Sequence, residues 1–334
     1  MRIAVDAMGG DFGPSVVVEG AVLAARQTGC SLLLAGPRDV VAGELAKHRG
    51  GPPVDARVVD APDVVSMNEP SSSVLRSKRG ASVRLAAQAV KAGEAAAFFS
   101  AGHTGATVMA AHVTCGLLAG VDRPALAAAV PTLSGTAVLL DAGANVECRP
   151  QHLVQFAVLG TAYARVALGI AQPRVGLLSI GAEESKGNEL TREAHRLLKA
   201  APVDFIGNVE ARDVFGGHAD VIVSDGFTGN VALKVSEGMV DAMERVLASE
   251  LSRSMSTRVG FLLARPAFRA FRRRLDYSEH GAAPLLGIAG LCFIGHGHSS
   301  VRAVRNGVEM AVRLAGEGLL GRLAAELTPV AHPE

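Results

Sequence analysis

The chain of 334 residues contains no Trp, two Tyr and 11 Phe. With so few aromatics, its core must be built from Ala, Val and Leu. Cysteine is also sparse. Cys30, Cys115, Cys148 and Cys292 stand far apart with no CxxC pair, which excludes a zinc ribbon and a disulfide framework. A reducing cytoplasm is the expected compartment. No run of 18 apolar residues occurs, so no membrane-spanning helix is expected. The opening residues, Met1-Arg-Ile-Ala-Val-Asp6, lack a signal peptide's apolar core and read as a strand. A net charge of +1 carries no nucleic-acid signature. The GxSxG elbow, the GxGxxG fingerprint with its ribose-binding acid and the Walker motif are all missing. That argues against serine hydrolases, dinucleotide dehydrogenases and P-loop NTPases.

What is present is glycine, 38 residues of it, punctuating an alternation of apolar runs and helical stretches. Strands are predicted at 2–7, 31–35, 56–60, 95–100, 125–130, 136–140, 174–180, 205–210, 219–224 and 291–294. Helices are predicted at 15–28, 38–48, 82–92, from after Gly105 to about 118, at 152–168, 189–200 and 231–251, with a last one at 301–327. Residues 65–81 read as a polar loop or broken helix, and 277–286 as a turn-rich segment. This pattern predicts an α/β fold with a mostly parallel sheet and helices on both faces. The length suggests one large domain over 1–334, either with a sizeable appendage or two-lobed.

Five glycine-bearing turns follow strands, at Gly9, Gly102, Gly181, Gly226 and Gly297. In a parallel sheet the ligand sits at the carboxyl ends of the strands, so these turns should crowd at one edge and form an anion pocket. The stretch 224–234, Ser-Asp-Gly-Phe-Thr-Gly-Asn-Val-Ala-Leu-Lys, is the richest. Gly226 and Gly229 permit close backbone approach or φ > 0, and the open N–H groups of a following helix attract anions. Thr228, Asn230 and Lys234 add polar or charged groups. Gly181 opens a second turn with Glu183, Glu184, Ser185, Lys186 and Asn188. Its lysine suits a phosphate or an oxyanion, and its alternative is a solvated loop. Gly102-His-Thr-Gly105 places His103 and Thr104 at a helix start, as a general acid or merely as a cap. Gly9 and Gly10 form a tight turn, with Asp11 capping or orienting a neighbour. His296 and His298 share a turn without a third metal ligand nearby in sequence. Cys148 reads as a small buried hydrophobe rather than a nucleophile.

Residues 251–275 carry seven arginines and no acid. Phe261, Leu262, Leu263, Phe268 and Phe271 lie between those charges. Phe268, Phe271 and Leu275 have helical spacing, and Pro266 is expected to start that helix. The segment should project from the domain and grip an acidic partner, an anionic membrane or a dimer partner.

Together these blocks resemble the bacterial phosphate acyltransferase family of phospholipid synthesis. The match runs from Asp6-Ala-Met-Gly-Gly-Asp11 through Ser100-Ala-Gly-His-Thr-Gly-Ala106, Asp141-Ala-Gly-Ala-Asn145 and Leu153-Val-Gln-Phe156. It continues through Leu177-Leu-Ser-Ile-Gly-Ala-Glu183, Phe205-Ile-Gly-Asn-Val-Glu210, 224–234 and Asp276-Tyr-Ser-Glu-His-Gly-Ala-Ala-Pro-Leu-Leu-Gly287 to His296-Gly-His-Ser-Ser300. The chain departs from the family pattern at His103, where Asn is usual, and in Arg76-Ser-Lys-Arg-Gly-Ala-Ser82. The resemblance implies a Rossmann-like α/β/α sandwich related to phosphate acetyltransferases and isocitrate-dehydrogenase-like folds, and a homodimer. It implies transfer of an acyl group from acyl carrier protein (ACP) to inorganic phosphate. The product would pass to a membrane glycerol-3-phosphate acyltransferase, which places the enzyme peripherally at the membrane. On this reading no metal or cofactor takes part. Lys186, Lys234 and Asn230 carry the chemistry, and Arg76 and Lys78 assist in binding. Alternatives are an acyl-CoA-dependent phosphate acetyl- or butyryltransferase and a non-catalytic membrane scaffold.

Overall fold

A computed structural model describes residues 1–66, 68–275 and 281–331. Its strands are β1 (Arg2–Asp6), β2 (Ser31–Gly36), β3 (Ala56–Asp60), β4 (Ala97–Ser100), β5 (Ala125–Leu126) and β6 (Ala128–Pro131). They continue with β7 (Thr136–Leu140), β8 (Arg174–Leu178), β9 (Asp204–Val209), β10 (Val221–Val223), β11 (Ala283–Leu286) and β12 (Leu291–Ile294). The helices are α1 (Ser15–Thr28), α2 (Arg38–Ala46), α3 (Ser73–Arg76), α4 (Ser82–Lys91), α5 (Thr104–Cys115) and α6 (Pro150–Ala167). After them come α7 (Glu189–Leu198), α8 (Gly226–Leu251), α9 (Met255–Leu275), α10 (Val301–Gly316) and α11 (Leu319–Ala331).

The strands form two sheets where the sequence suggested one. The first runs β3-β2-β1-β4-β12-β11-β5 and the second β6-β7-β10-β8-β9. Inner pairs are parallel, as βαβ units require. Antiparallel strands close the ends at β11, β5 and β6. The division falls inside the single strand expected at 125–130. Ala125 and Leu126 pair with β11, whereas Ala128–Pro131 pairs with β7. A strand offers its ladder groups to neighbours on either side, and here successive residues find theirs in different sheets.

One buried apolar cluster runs through both sheets, from Ile3, Val5 and Phe99 to Val138, Leu140 and Val175, with Phe156 and Leu159 of α6 among them. Burying a Phe of this kind contributes about 2–3 kcal/mol, so α6 is a central fastener of the two halves. Three further differences have local causes. β11 pairs between β12 and β5, so part of the turn-rich segment becomes a strand. The last helix breaks where Gly318 takes φ of +71°. Helix α9 contains Pro266 instead of starting there. Proline removes the donor for the carbonyl four residues back, and that residue, Leu262, is exposed.

Candidate active site

The five glycine turns do gather at carboxyl ends of strands, three in the first sheet and two in the second. In the first sheet β1, β4 and β12 are neighbours, and their turns are sewn together. Asp6 is buried at the end of β1. Its Oδ2 accepts the Ser100 hydroxyl at 2.7 Å, and its Oδ1 accepts the Met8 N–H at 3.3 Å. Ser100 Oγ in turn accepts from the Gly102 N–H at 3.1 Å and the Thr107 hydroxyl at 3.3 Å. Burial pushes the Asp6 carboxyl above the ordinary carboxylate range, against hydrogen bonds from Ser82 and Ser100. A Cβ on Gly9 would lie 2.7 Å from the Gly102 nitrogen, so only glycine lets these turns meet. Asp11 joins the third turn. Its N–H donates to the Gly297 carbonyl at 2.9 Å, and its Oδ2 pairs with His298 Nδ1 at 2.7 Å. Gly10 supports this bend with φ of +90°. Asp6, Met8, Gly102, His103 and Thr107 line a small pocket here.

The second sheet repeats the device with different partners. Asp141, buried just after β7, accepts N–H groups from Leu126 (2.9 Å), Gly143 (3.0 Å), Ala144 (2.9 Å) and Asn145 (2.7 Å). The Asn145 amide adds a fifth donor at 2.8 Å. Burial raises this carboxyl too, opposed by those N–H groups. Helix α8 begins at Gly226, earlier than its apolar pattern suggests, because Asp225 caps it. The Asp225 carboxylate accepts from the Thr228 N–H at 2.8 Å and the Thr228 hydroxyl at 2.7 Å. The N–H groups expected to be open to an anion are thus partly taken by the protein's own acid. Gly226 and Gly229 do not adopt positive φ. They admit backbone instead: a Cβ on Gly229 would sit 2.0 Å from the Asp141 carbonyl oxygen. The Asn230 side chain then lies over Gly143.

The two sets meet at Lys234. Its ammonium lies 2.6 Å from His296 Nε2 and 2.8 Å from Glu237 Oε2. α8 of the second sheet thereby contacts the turn after β12 of the first. Desolvation, reinforced by the Lys234 charge, lowers the pKa of His296, so its neutral ring accepts from the ammonium. His296 also stacks on His298, which carries the contact back to Asp11.

Lys186 is exposed on the turn after β8, with its stem against Gly181. No ion pair or hydrogen bond among the described residues engages its ammonium. Lys78, by contrast, is occupied by Glu69 at 2.6 Å and by the Val64 carbonyl. Arg76 is exposed at the end of the short α3. His103 caps α5, its Nδ1 accepting the Ala106 N–H at 3.3 Å, and Thr104 is the first residue of that helix. Cys148 is half-buried, and desolvation pushes its thiol up to about 11, out of nucleophile range. Among the described residues, no three His, Cys, Asp or Glu side chains form a metal cluster.

On α9, the Phe261 ring meets the Phe268 ring at a tilt, centroids 5.2 Å apart, while Leu262, Leu263 and Phe271 are exposed. No helix among the described residues is long and apolar enough to cross a membrane. The 276–280 part of one sequence block lies outside the described residues. Sequence reasoning passed over Asp225, Glu237 and Asp141 as site-building groups. Asp225 and Glu237 had readable signals, the first at helix-cap spacing to Thr228 and the second three residues beyond Lys234 on a predicted helix.

Solved structures share the fold. A phosphotransacetylase from Streptococcus pyogenes superposes with TM-score 0.64 at 16% identity, covering 95% of this chain and 94% of that one. A branched-chain phosphotransacylase from Enterococcus faecalis V583 gives 0.57 at 12%, covering 94% and 99%. In sequence, residues 1–322 match the family described as Fatty acid synthesis protein. The phosphate acyltransferase of Geobacter sp. (strain M21) is 48% identical over 329 residues, covering 98% of this chain and 93% of the relative. That of Acidobacterium capsulatum is 48% identical over 324 residues, covering 97% and 96%. With a Rossmann-like α/β/α fold and near full-length identity of this order, the chain belongs to the phosphate acyltransferase family and is an acyltransferase.

Proposed function

We propose that this enzyme transfers a fatty acyl group from acyl-ACP to inorganic phosphate. The observation that carries the reading is the junction of Lys234 with His296, where the cation of α8 from the second sheet meets the glycine-bearing turn after β12 of the first. A phosphate oxygen attacks the thioester carbonyl carbon. The C–O bond forms, the tetrahedral oxyanion collapses and the C–S bond breaks. Hydrogen phosphate gives up its proton and the departing sulfur takes it, leaving acyl phosphate and the thiol of ACP. Phosphate already carries a nucleophilic oxygen at neutral pH, so the protein's tasks are placement and charge. Lys186 and Lys234 supply positive charge to phosphate or the oxyanion. Asn230, beside the turn after β7, supplies a donor. Gly9, Gly102 and Gly181 keep backbone close to the reactants, Gly226 and Gly229 let α8 seat against the turn after β7, and Thr228, Thr104, Arg76 and Lys78 lie at the periphery.

The test is turnover of acyl-ACP and phosphate by Lys186→Ala, with acyl phosphate trapped by hydroxylamine. Loss of one such donor costs about 100-fold or more in kcat. Full turnover by the folded variant sinks the role of Lys186, and preference for acyl-CoA over acyl-ACP would move the enzyme to the acetyl- or butyryltransferase reading.

The α8–α9 projection serves association on the same reading. Val235, Met239, Met243 and Val246 are exposed within one arc of α8 and suit a second copy of the chain. Leu262 and Leu263, with Arg265 beside them, suit an anionic membrane or the acidic carrier. Liposome flotation of Leu262→Asp/Leu263→Asp decides the membrane arm, since unchanged flotation excludes it. Passage of acyl phosphate to a membrane glycerol-3-phosphate acyltransferase would follow from that docking.

A further inference from the structure

We infer that Asn208, oriented by His195, is the positioning residue for the turn that carries Lys186. The inference rests on the reading of Lys186 as a phosphate or oxyanion cation. Asn208 is buried on β9, the strand beside β8. Its Nδ2 donates to the Glu183 carbonyl at 2.9 Å, and the Lys186 N–H closes the turn on that same carbonyl at 3.0 Å. One acceptor thus receives both the bond that shapes the turn and the bond that ties it to the sheet. A carbonyl can only accept, so the amide nitrogen must face Glu183 and the amide oxygen must face His195. Oδ1 lies 2.8 Å from His195 Nδ1, which must therefore carry the hydrogen. His195 is itself buried on α7, edge-on to Phe205 at 5.1 Å. The chain of forced assignments runs from a packed imidazole through an amide to the loop, and none of its members touches the reacting atoms.

Other ties are looser or further out. The Ser179 hydroxyl reaches the Lys186 carbonyl only at 3.5 Å, and Arg192 holds the Gly187 carbonyl from the exposed side. Lys199 pairs with the exposed Glu184 carboxylate, which His195 Nε2 approaches at 3.8 Å. Asn208 is thus the one buried side chain among the described residues that hydrogen-bonds a backbone carbonyl inside the turn. Removing its donor frees the turn without touching Lys186.

The test uses four variants of the full-length enzyme. Asn208→Asp keeps the shape, still accepts from His195 and loses the donor to Glu183. His195→Leu removes the orienting N–H, while His195→Asn restores a donor near the Nδ1 position. Lys186→Ala is the reference. Trypsin cleavage after Lys186 in the folded protein reports the turn directly. It should speed up about tenfold in Asn208→Asp and His195→Leu and stay near wild type in His195→Asn. KM for phosphate should rise about tenfold in the first two variants, and Asn208→Asp should add little in the Lys186→Ala background. Unchanged cleavage and unchanged KM in folded Asn208→Asp, with Lys186→Ala impaired, overturns the inference and leaves the Lys186 reading standing. Full activity of Lys186→Ala fells that reading, and the inference with it.

Discussion

The two sheets end their strands in the same way and use the result differently. Each has a buried aspartate at the end of a central strand, Asp6 in one and Asp141 in the other, and each has a serine on a neighbouring strand end, Ser100 and Ser224. Asp6 is held chiefly by hydroxyl groups and lines a pocket. Asp141 is wrapped by four backbone N–H groups and lies under the glycines of α8. The first aspartate sits beside space and the second beside backbone. Charge is divided too. Lys186 and Lys234 belong to turns and helices of the second sheet, and His103, His296 and His298 to those of the first. Two similar strand ends thus hold their aspartates by unlike means, and Lys234 and His296 join the two sheets at a seam.

The largest expected effect breaks this comparison at its root. Asp141→Ala strands several buried N–H groups, each costing about 1–3 kcal/mol, so stability should fall by about 3 kcal/mol or more. Asp6→Ala should cost clearly less in the same urea titration. Equal losses would mean the two aspartates are equivalent. Next comes the seam itself. Lys234→Ala should lower kcat/KM for phosphate about 100-fold with little change in unfolding midpoint, because its i,i+3 ion pair with Glu237 is half-exposed at the lysine. An unchanged kcat/KM would place the chemistry elsewhere.

Removing the α8 cap should be milder. Asp225→Ala is expected to cost about 1 kcal/mol of stability. It also removes a negative charge from the helix start, so the KM for phosphate should not rise. A large rise would show that Asp225 contacts substrate.

The smallest effect concerns pH. The pKa of His296 is lowered in the folded state, so the unfolded chain binds its proton more readily. Its contribution to stability is complete above the ordinary imidazole pKa and is lost as pH falls through the lowered value. His296→Asn should therefore flatten the loss of stability on going from pH 7 to 5. A slope identical to wild type would remove His296 from the seam's electrostatics.

Much of this protein is written locally. Helix α1 spans Ser15–Thr28 as its pattern predicts, and β3 and β12 likewise coincide with their apolar runs. These elements are legible because side-chain period and turn chemistry act over a few residues. The site is legible in kind, since glycine and polar residues mark the strand ends, and 224–234 stands out among them. Its connections are not. Ser100 on β4 donates to Asp6 on β1, and Lys234 meets a histidine 62 residues away.

Local pattern therefore settles the α/β alternation and the family blocks that mark the polar strand ends. Tertiary structure alone decides that there are two sheets, that the chain crosses between them at Ala127, and that Lys234 meets His296 across the seam. Alternation says how far a strand extends and which way it faces but leaves its ladder partner open, because every strand presents the same N–H and C=O groups. Lys234 shows both levels: its carboxylate partner Glu237 lies three residues further along α8, while His296 reaches it only through the fold.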